Sequence, residues 1–217
     1  MNGRVQLSPR PVSQPRGLEA VGTAEATGTP LRVLLEEAGV GEGAVEVLSQ
    51  GLDRGVEGGE VQRFARSLPL ADALREEVLL AYAMNGAPLP PQHGFPLRLV
   101  VPGWYGMTSV KWLERIMVLD RPFDGYQQAR GYRLRQVPDE EGEPVSRMVP
   151  RSLMVPPGTP DFATRERRLE PGRCTVRGRA WSGFGGVELE VSADGGVSWS
   201  DARLGAQPSR WAWGSWE

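Results

Sequence analysis

The middle of the chain gathers four side chains that bind anions or transfer protons: His93, Arg98, Ser109 and Lys111. Arg98 lies between apolar neighbours in the segment LRLVV, where a buried cation is costly without an anionic partner. The glycine-containing segment PGWYGMTS offers backbone N–H groups to an anion directly before Lys111. Together these features suit a ligand with a phosphate group and a polar heteroaromatic ring. A core strand that carries incidental charges is the alternative.

Lys111, Cys174 and His93 are each the only residue of their type in the sequence. Lys111 is the only lysine among 25 lysine and arginine residues, which indicates either chance or a site that requires a compact point charge. The single Cys174 and the single His93 could form a nucleophile pair. Cys174 occupies an apolar position in the strand-like segment CTVRGRAW, however, where cysteine commonly acts as a small buried hydrophobe. The sequence contains no G-x-S-x-G, P-loop, H-E-x-x-H or paired-cysteine motif.

Composition excludes several classes of protein. The chain of 217 residues is 40% hydrophobic and 24% charged, which is typical of a folded globular protein. Its formal net charge of -2 argues against binding to nucleic acid or to an anionic membrane surface. No apolar run approaches the roughly 18 residues of a membrane span. One cysteine and one histidine cannot build a Cys/His zinc site within this chain.

The elements that must position these residues are short. Pro30 and Gly39 delimit a predicted helix, LRVLLEEA, and a second helix is predicted over Leu70 to Glu77. Alternating or continuous apolar segments predict strands. They are Ala44 to Leu48, Val78 to Met84, 97–101 and Ser109 to Leu119, with a loop containing Asp53 after the first and an exposed connection over 134–146.

The last 70 residues differ in pattern from the rest. Short alternating segments (CTVRGRAW, VELEV and VSW) are separated by glycine-rich turns, which is typical of an antiparallel sandwich. We expect VELEV and VSW to pair through the turn Asp194-Gly195-Gly196, with Val187, Leu189 and Val191 pointing inward. The sheet is predicted to have too few strands and an open edge beside WAWGSWE. A domain boundary is predicted near residue 146.

One long segment resembles a known family. HGFPLRLVVPGWYGMTSVKWL is similar to the pterin-binding stretch of the sulfite oxidase family of molybdenum enzymes. Upstream AVGTAEATGTPLRVLLEEAGV, GLDRG, RSLPL and LLAYAMNGAPLP resemble that family in the same order, and GRAWSGFGGVELEVSADGGVSW resembles its C-terminal dimerisation domain. The resemblance implies an α+β protein. Residues 1–146 would form part of a mixed α/β molybdopterin-binding domain, and residues 147–217 part of an all-β immunoglobulin-like sandwich.

The resemblance also implies roles for individual residues. The cofactor, molybdenum-molybdopterin, would be contacted by the following residues: Asp53, His93, Arg98, Ser109, Val110 and Lys111. Tyr132 in GYQQARGYRL matches the active-site tyrosine of the family, and Arg4 in MNGR matches an arginine of its oxyanion pocket. The expected substrate is a small oxyanion such as sulfite, with an external electron acceptor such as a cytochrome, and the expected assembly is a homodimer.

Departures from the family pattern define the alternatives. The cysteine that ligates molybdenum in the family would lie two residues before Met1, and no residue of this sequence is predicted as a metal ligand. Arg16 and Ala26 stand where the family usually has tryptophan. We therefore expect part of an oxidoreductase that is inactive as given. The alternatives are a non-catalytic decayed paralogue that keeps the fold core and dimer surface, or a binding module that uses Trp211, Trp213 and Trp216 as an aromatic platform.

Overall fold

The computed structural model describes residues 22–137, 139–155 and 169–217. The chain divides into two compact units. Ala24–Met148 forms the first, and the described residues of Val149–Glu217, with Gly22 and Thr23, belong to the second. The limits predicted for the two domains stay a prediction. Arg4 and Arg16 lie outside the described residues.

The first unit is built mainly of strands, with two short helices. In chain order its elements are β1 (Ala26–Pro30), α1 (Leu31–Ala38), β2 (Glu46–Glu57), β3 (Glu60–Pro69), α2 (Leu70–Ala73), β4 (Leu79–Met84), β5 (Ala87–Pro88), β6 (Arg98–Val100), β7 (Leu113–Leu119), β8 (Arg133–Leu134) and β9 (Glu143–Pro144). In the described ranges, no helix has the length and apolarity needed to cross a membrane.

Helix α1 confirms its sequence signals. Of the predicted apolar stripe of Leu31, Leu34, Leu35 and Ala38, Leu31 and Leu35 are buried one turn apart, whereas Leu34 and Ala38 are exposed. Gly39 ends the helix with a φ of 74°, a value that glycine adopts without steric cost, and its N–H donates to the carbonyl of Leu35. Helix α2 is shorter than predicted because tight turns follow it: the N–H of Arg75 donates to the Asp72 carbonyl, and that of Val78 to the Arg75 carbonyl.

The central antiparallel sheet has the strand order β3-β2-β7. The predicted loop after Leu48 is wrong, because β2 continues to Glu57 and forms a long hairpin with β3. The sequence shows no alternating pattern because the outer hairpin is exposed on both faces. Val56 and Val61, which pair with each other on one face, are 71% and 75% exposed, and Gly55 and Glu57 on the other face are exposed as well. The register shifts between Gln50 and Arg54, which leaves a bulge in β2. Bulges redirect side chains, and Asp53 lies in this one.

A second antiparallel sheet has the order β1-β4-β5, and β6 pairs with β4. A single apolar core connects both sheets and α1; its most buried members include Leu31, Val47, Leu68, Val78, Leu99 and Val110. The predicted strand from Ser109 begins only at Leu113, because a 3-10 turn over Gly106–Thr108 and a φ of 49° at Trp112 break the extended chain. The predicted connection over 134–146 is also partly wrong, since β8 and β9 pair within it.

The second unit contains five strands among the described residues: β10 (Arg151–Val155), β11 (Arg177–Trp181), β12 (Glu190–Val191), β13 (Ser200–Asp201) and β14 (Gly214–Trp216). They form a sheet of order β10-β11-β14 and a separate β12-β13 pair. Residues 187–191 alternate between partly buried and exposed as predicted. An immunoglobulin-like sandwich stays a prediction.

Two details of the second unit correct the sequence analysis. The pairing predicted across Asp194-Gly195-Gly196 forms with a shifted partner: VELEV pairs with Ser200–Asp201 instead of VSW. The Asp194 carboxylate accepts hydrogen bonds from the N–H groups of Val197 and Ser198 and folds VSW into the loop. The edge of β14 is not open either. Its far side hydrogen-bonds to Arg203 and Gly205 through backbone groups.

Candidate functional site

A cavity of about 130 Å³ lies in the first unit, where the β2 bulge, β3 and the segments flanking β6 meet. Its walls are formed by Asp53, Phe64, Arg98, Gly106, Met107, Ser109 and Lys111. Four of the residues that the sequence analysis singled out, Asp53, Arg98, Ser109 and Lys111, therefore line one cavity.

The Arg98 guanidinium links the two loops beside the cavity. Its Nη1 donates to the carbonyl of His93 at 2.9 Å, and its Nη2 donates to the carbonyl of Ser109 at 3.0 Å. Burial lowers the pKa of Arg98. These carbonyls solvate a cation that the sequence places among apolar neighbours, and they fix the loops over Pro91–His93 and Gly106–Thr108 relative to each other.

Lys111 contributes a second positive charge. Its Nζ donates to the carbonyl of Gln92 at 3.0 Å and lies 4.0 Å from the centre of the Trp112 ring. Burial and the nearby Arg98 lower the pKa of Lys111, and Asp53 acts in the opposite direction. Two cations that repel each other beside one carboxylate leave the cavity with an excess of positive charge, which favours an anionic ligand.

Asp53 provides the acceptor of the cavity. Its Oδ1 is buried and has no hydrogen-bond partner in the part of the chain that the structure describes. Burial raises the pKa of the Asp53 carboxyl, and a backbone hydrogen bond and Lys111 oppose this effect. An unpaired buried carboxylate oxygen is costly, so it indicates a donor that arrives from elsewhere.

The other predicted cofactor contacts differ in their surroundings. The His93 side chain is exposed and outside the cavity lining; only its backbone carbonyl reaches Arg98. The Ser109 hydroxyl accepts the N–H of Val101 at 3.0 Å. Val110 is 1% exposed in the apolar core, and its N–H and carbonyl bond to Thr108 and Leu99. Cofactor binding by His93 and Val110 stays a prediction.

Two glycines beside the cavity escaped the sequence analysis. Gly94 has a φ of 105°, and a Cβ atom placed on it would lie 3.0 Å from Cβ of Lys111 and 3.1 Å from Cβ of Arg98. A Cβ atom on Gly51 would contact Asp53 Oδ1 and lie 2.6 Å from the Lys111 carbonyl. Both glycines permit a close approach of backbone to the charged groups. The signal available in the sequence was their position directly beside candidate site residues.

A second cavity, of about 290 Å³, shares Asp53 and Phe64 with the first and is also lined by Glu57 and Gln127. Gln127 donates from Nε2 to Glu57 at 3.1 Å and begins a π-helical turn, Gln127–Gly131. Tyr132, the predicted active-site tyrosine, follows this turn and is exposed. The turn that leads to Tyr132 therefore borders the second cavity, and the two cavities that share Asp53 and Phe64 are together called the groove. Isolated π turns are frequent at functional sites.

The aromatic platform considered as an alternative loses one of its three tryptophans in the described part of the second unit. Trp216 is 5% exposed, so its ring is not available for stacking. The Arg179 guanidinium lies 5.1 Å from the centre of the Trp213 ring, and that of Arg210 lies 4.4 Å from the centre of the Trp211 ring. Cys174, predicted to be buried, is exposed because β11 begins only at Arg177.

Comparisons with known proteins give a consistent result. A family model described as Oxidoreductase molybdopterin binding domain matches residues 1–127. The chain is 37% identical to mitochondrial sulfite oxidase from human over 222 residues, which cover 95% of this chain and 40% of that protein. It is 38% identical to sulfite oxidase from chicken over 235 residues, which cover 100% of this chain and 50% of that protein.

A solved structure agrees with the relatives. The crystal structure of the sulfane dehydrogenase SoxCD from Paracoccus pantotrophus matches with a TM-score of 0.70 and 30% identity. The match covers 89% of this chain and 47% of that one. The chain thus spans half or less of the length of each of these proteins.

Among the described residues, no group of three or more His, Cys, Asp or Glu side chains could hold a metal ion.

Proposed function

Since the chain belongs to the oxidoreductase molybdopterin binding domain family, we propose that its first unit binds molybdopterin in the groove. The family and its sulfite oxidase relatives imply a molybdenum-molybdopterin cofactor. The observation that supports this location most strongly is the combination of two cations, Arg98 and Lys111, with the unpaired Oδ1 of Asp53 around one cavity.

The residues fit such a group by their chemistry. Molybdopterin carries a phosphate, which suits the Lys111 ammonium and the Arg98 guanidinium. Its pterin ring carries N–H and amino donors, which suit the buried oxygen of Asp53. Gly51 and Gly94 let the backbone pack directly against these residues, because a Cβ atom at either position would crowd Asp53, Arg98 or Lys111. The cavities of about 130 Å³ and 290 Å³ share Asp53 and Phe64 in their walls, and we propose that the ligand extends across both.

When bound, the molybdenum cofactor supplies oxygen-atom transfer together with the transfer of two electrons. The residues of this chain would bind and orient it. Lys111 and Arg98 would neutralise its phosphate, and the Asp53 carboxylate would accept hydrogen bonds from the N–H and amino groups of the pterin ring. Tyr132 and Arg4 would face the substrate, as the family resemblance implies. We propose a small oxyanion such as sulfite, because the human and chicken relatives are named sulfite oxidases.

The metal ligand and the assembly belong to the same proposal. Cys174 is the only cysteine of the sequence and lies exposed in the second unit, so we propose that it does not ligate molybdenum. The chain as given would then hold the pterin but would not oxidise sulfite. We further propose an external electron acceptor such as a cytochrome, and a homodimer formed through the second unit.

Reconstitution tests this function. The molybdenum cofactor, molybdopterin with its molybdenum, is released anaerobically from a donor molybdenum enzyme and mixed with the purified chain, and free ligand is removed by gel filtration. The fluorescence of the oxidised pterin then gives the amount bound per chain, with the urea-unfolded chain as the control. We expect the folded chain to retain pterin and to show no sulfite-dependent reduction of cytochrome c. A folded chain that retains no pterin would refute the proposed cofactor binding. Sulfite-dependent reduction of cytochrome c would refute the proposal that the chain as given does not oxidise sulfite.

A further inference from the structure

Arg66 is a buried cation that the function proposed above does not use. It lies on β3 and is 2% exposed. Its Nη1 donates to the carbonyl of Gln127 at 2.8 Å, and its Nη2 donates to the carbonyl of Val145 at 2.6 Å. One guanidinium therefore connects two segments that are far apart in the sequence, the π turn and strand β9 with its neighbours.

Both segments hold the backbone of Tyr132. The N–H of Tyr132 donates to the same Gln127 carbonyl at 3.2 Å, and the N–H of Val145 donates to the Tyr132 carbonyl at 3.0 Å. Arg66 thus donates to both backbone partners of Tyr132: Gln127, which accepts from the Tyr132 N–H, and Val145, which donates to the Tyr132 carbonyl. The two backbone groups of Tyr132 and the guanidinium form one hydrogen-bonded frame.

The cost of burying the Arg66 charge indicates that this side chain does more than pack the interior. The Arg66 Nε is buried and finds no acceptor among the described residues. Burial lowers the pKa of Arg66, and the nearby Tyr132 and Glu46 act in the opposite direction. Even a buried ion pair is often replaced by apolar side chains of similar volume without loss of stability, so burial of a charge is weak evidence for a stabilising role. The fork geometry of arginine, in contrast, is suited to hold two acceptors at a fixed separation.

Neighbouring residues strengthen the same attachment. The Glu46 carboxylate accepts the Phe123 N–H at 2.8 Å and the Ser67 hydroxyl at 2.6 Å. The Ser67 N–H donates to Gln128 Oε1 at 3.1 Å. The start and the middle of the segment that leads to Tyr132 are therefore fixed to β2 and β3, the strands that also carry Asp53 and Phe64.

We propose that Arg66 is a positioning residue for Tyr132: it fixes the backbone from which the phenol projects relative to the groove. This inference rests on the proposed function for the role of Tyr132 in the reaction. The attachment itself can be measured in the chain without cofactor, so its failure and that of the proposed function can be distinguished.

The test compares Arg66→Ala and Arg66→Lys with the control Arg63→Ala. Arg63 lies on the same strand, but its side chain forms an exposed ion pair with Glu114. Amide hydrogen exchange is followed at Tyr132 and Val145, with the amides of β1 and β4 as an internal reference for global stability. We expect Arg66→Ala to accelerate exchange at both positions by about tenfold relative to the reference, since each lost hydrogen bond weakens the frame.

A second readout concerns the phenol itself. The chain is labelled with 3-fluorotyrosine, and the Tyr132 resonance is identified by its loss in Tyr132→Phe. We expect this resonance to shift in Arg66→Ala, to shift less but measurably in Arg66→Lys, whose single ammonium cannot hold both carbonyls as the guanidinium fork does, and to stay unchanged in Arg63→Ala. A purely structural role would accelerate all reference amides equally, and that result would overturn the proposal. Unchanged exchange at Tyr132 in a folded Arg66→Lys together with an unchanged resonance would overturn it as well.

Discussion

Replacement of Lys111 separates a binding role from a structural one. In the folded chain, Lys111→Ala removes the hydrogen bond to the Gln92 carbonyl and the contact with Trp112, but it also relieves repulsion from Arg98. A net hydrogen bond contributes about 0.5–1.5 kcal/mol and an exposed cation–π contact about 0.5–1 kcal/mol. We therefore expect the free energy of unfolding to fall by no more than roughly 2 kcal/mol.

The effect on cofactor retention is expected to be larger. A hydrogen bond between a charged donor and an anion contributes about 1.5–3 kcal/mol, which corresponds to roughly 10- to 150-fold in affinity. Lys111→Arg keeps the charge but replaces a compact ammonium with a planar fork, so we expect only partial recovery. Titration of molybdopterin into each variant, followed by pterin fluorescence after gel filtration, measures the affinity.

Arg115→Ala provides the matched control, because it removes an exposed positive charge from the neighbouring strand β7. It should leave retention unchanged. The reasoning would be refuted if Lys111→Ala bound the cofactor as tightly as the original chain. It would also be refuted if Arg115→Ala lost as much affinity, since general charge rather than the cavity would then explain the effect.

Two further predictions concern Asp53 and Gly94. Burial raises the pKa of Asp53 above 3.8, so the folded chain loses stability as the pH rises through that value. Asp53→Asn should therefore unfold at a higher urea concentration than the original chain at about pH 7 and at the same concentration at about pH 3. The same variant should bind less pterin. Gly94→Ala should lower the unfolding free energy by about 1–3 kcal/mol because of the φ of 105°. Gly55→Ala, which meets nothing within 4 Å, is the control for the second measurement. Equal urea midpoints of Asp53→Asn and the original chain at both pH values would contradict the first prediction. Equal losses of unfolding free energy in Gly94→Ala and Gly55→Ala would contradict the second.

Local sequence signals predicted much of the first unit. The spacing of Leu31 and Leu35 and the position of Gly39 identified α1, because both depend only on neighbouring residues. The cation in LRLVV identified Arg98 as a residue that needs partners. It did not identify those partners, because backbone carbonyls of His93 and Ser109 solvate the charge in place of an anion.

Features that depend on pairing between distant segments could not be predicted. The outer half of the β2–β3 hairpin has no buried face, so Val56 and Val61 gave no alternating pattern. The bulge that holds Asp53 arises from the register of two strands, which no single strand encodes. The frame around Tyr132 likewise joins Arg66 to Gln127 and Val145 across the fold.

The binding footprint of molybdopterin tests the central claim most directly. Amide hydrogen exchange of the full chain is compared with and without molybdopterin released from a donor enzyme. Binding in the proposed groove predicts slower exchange in the β2 bulge around Asp53, in the turns Pro91–His93 and Gly106–Thr108, and at Lys111, with no change in the second unit. Protection confined to the second unit, or no protection at any of these segments under conditions where pterin is retained, would contradict the account.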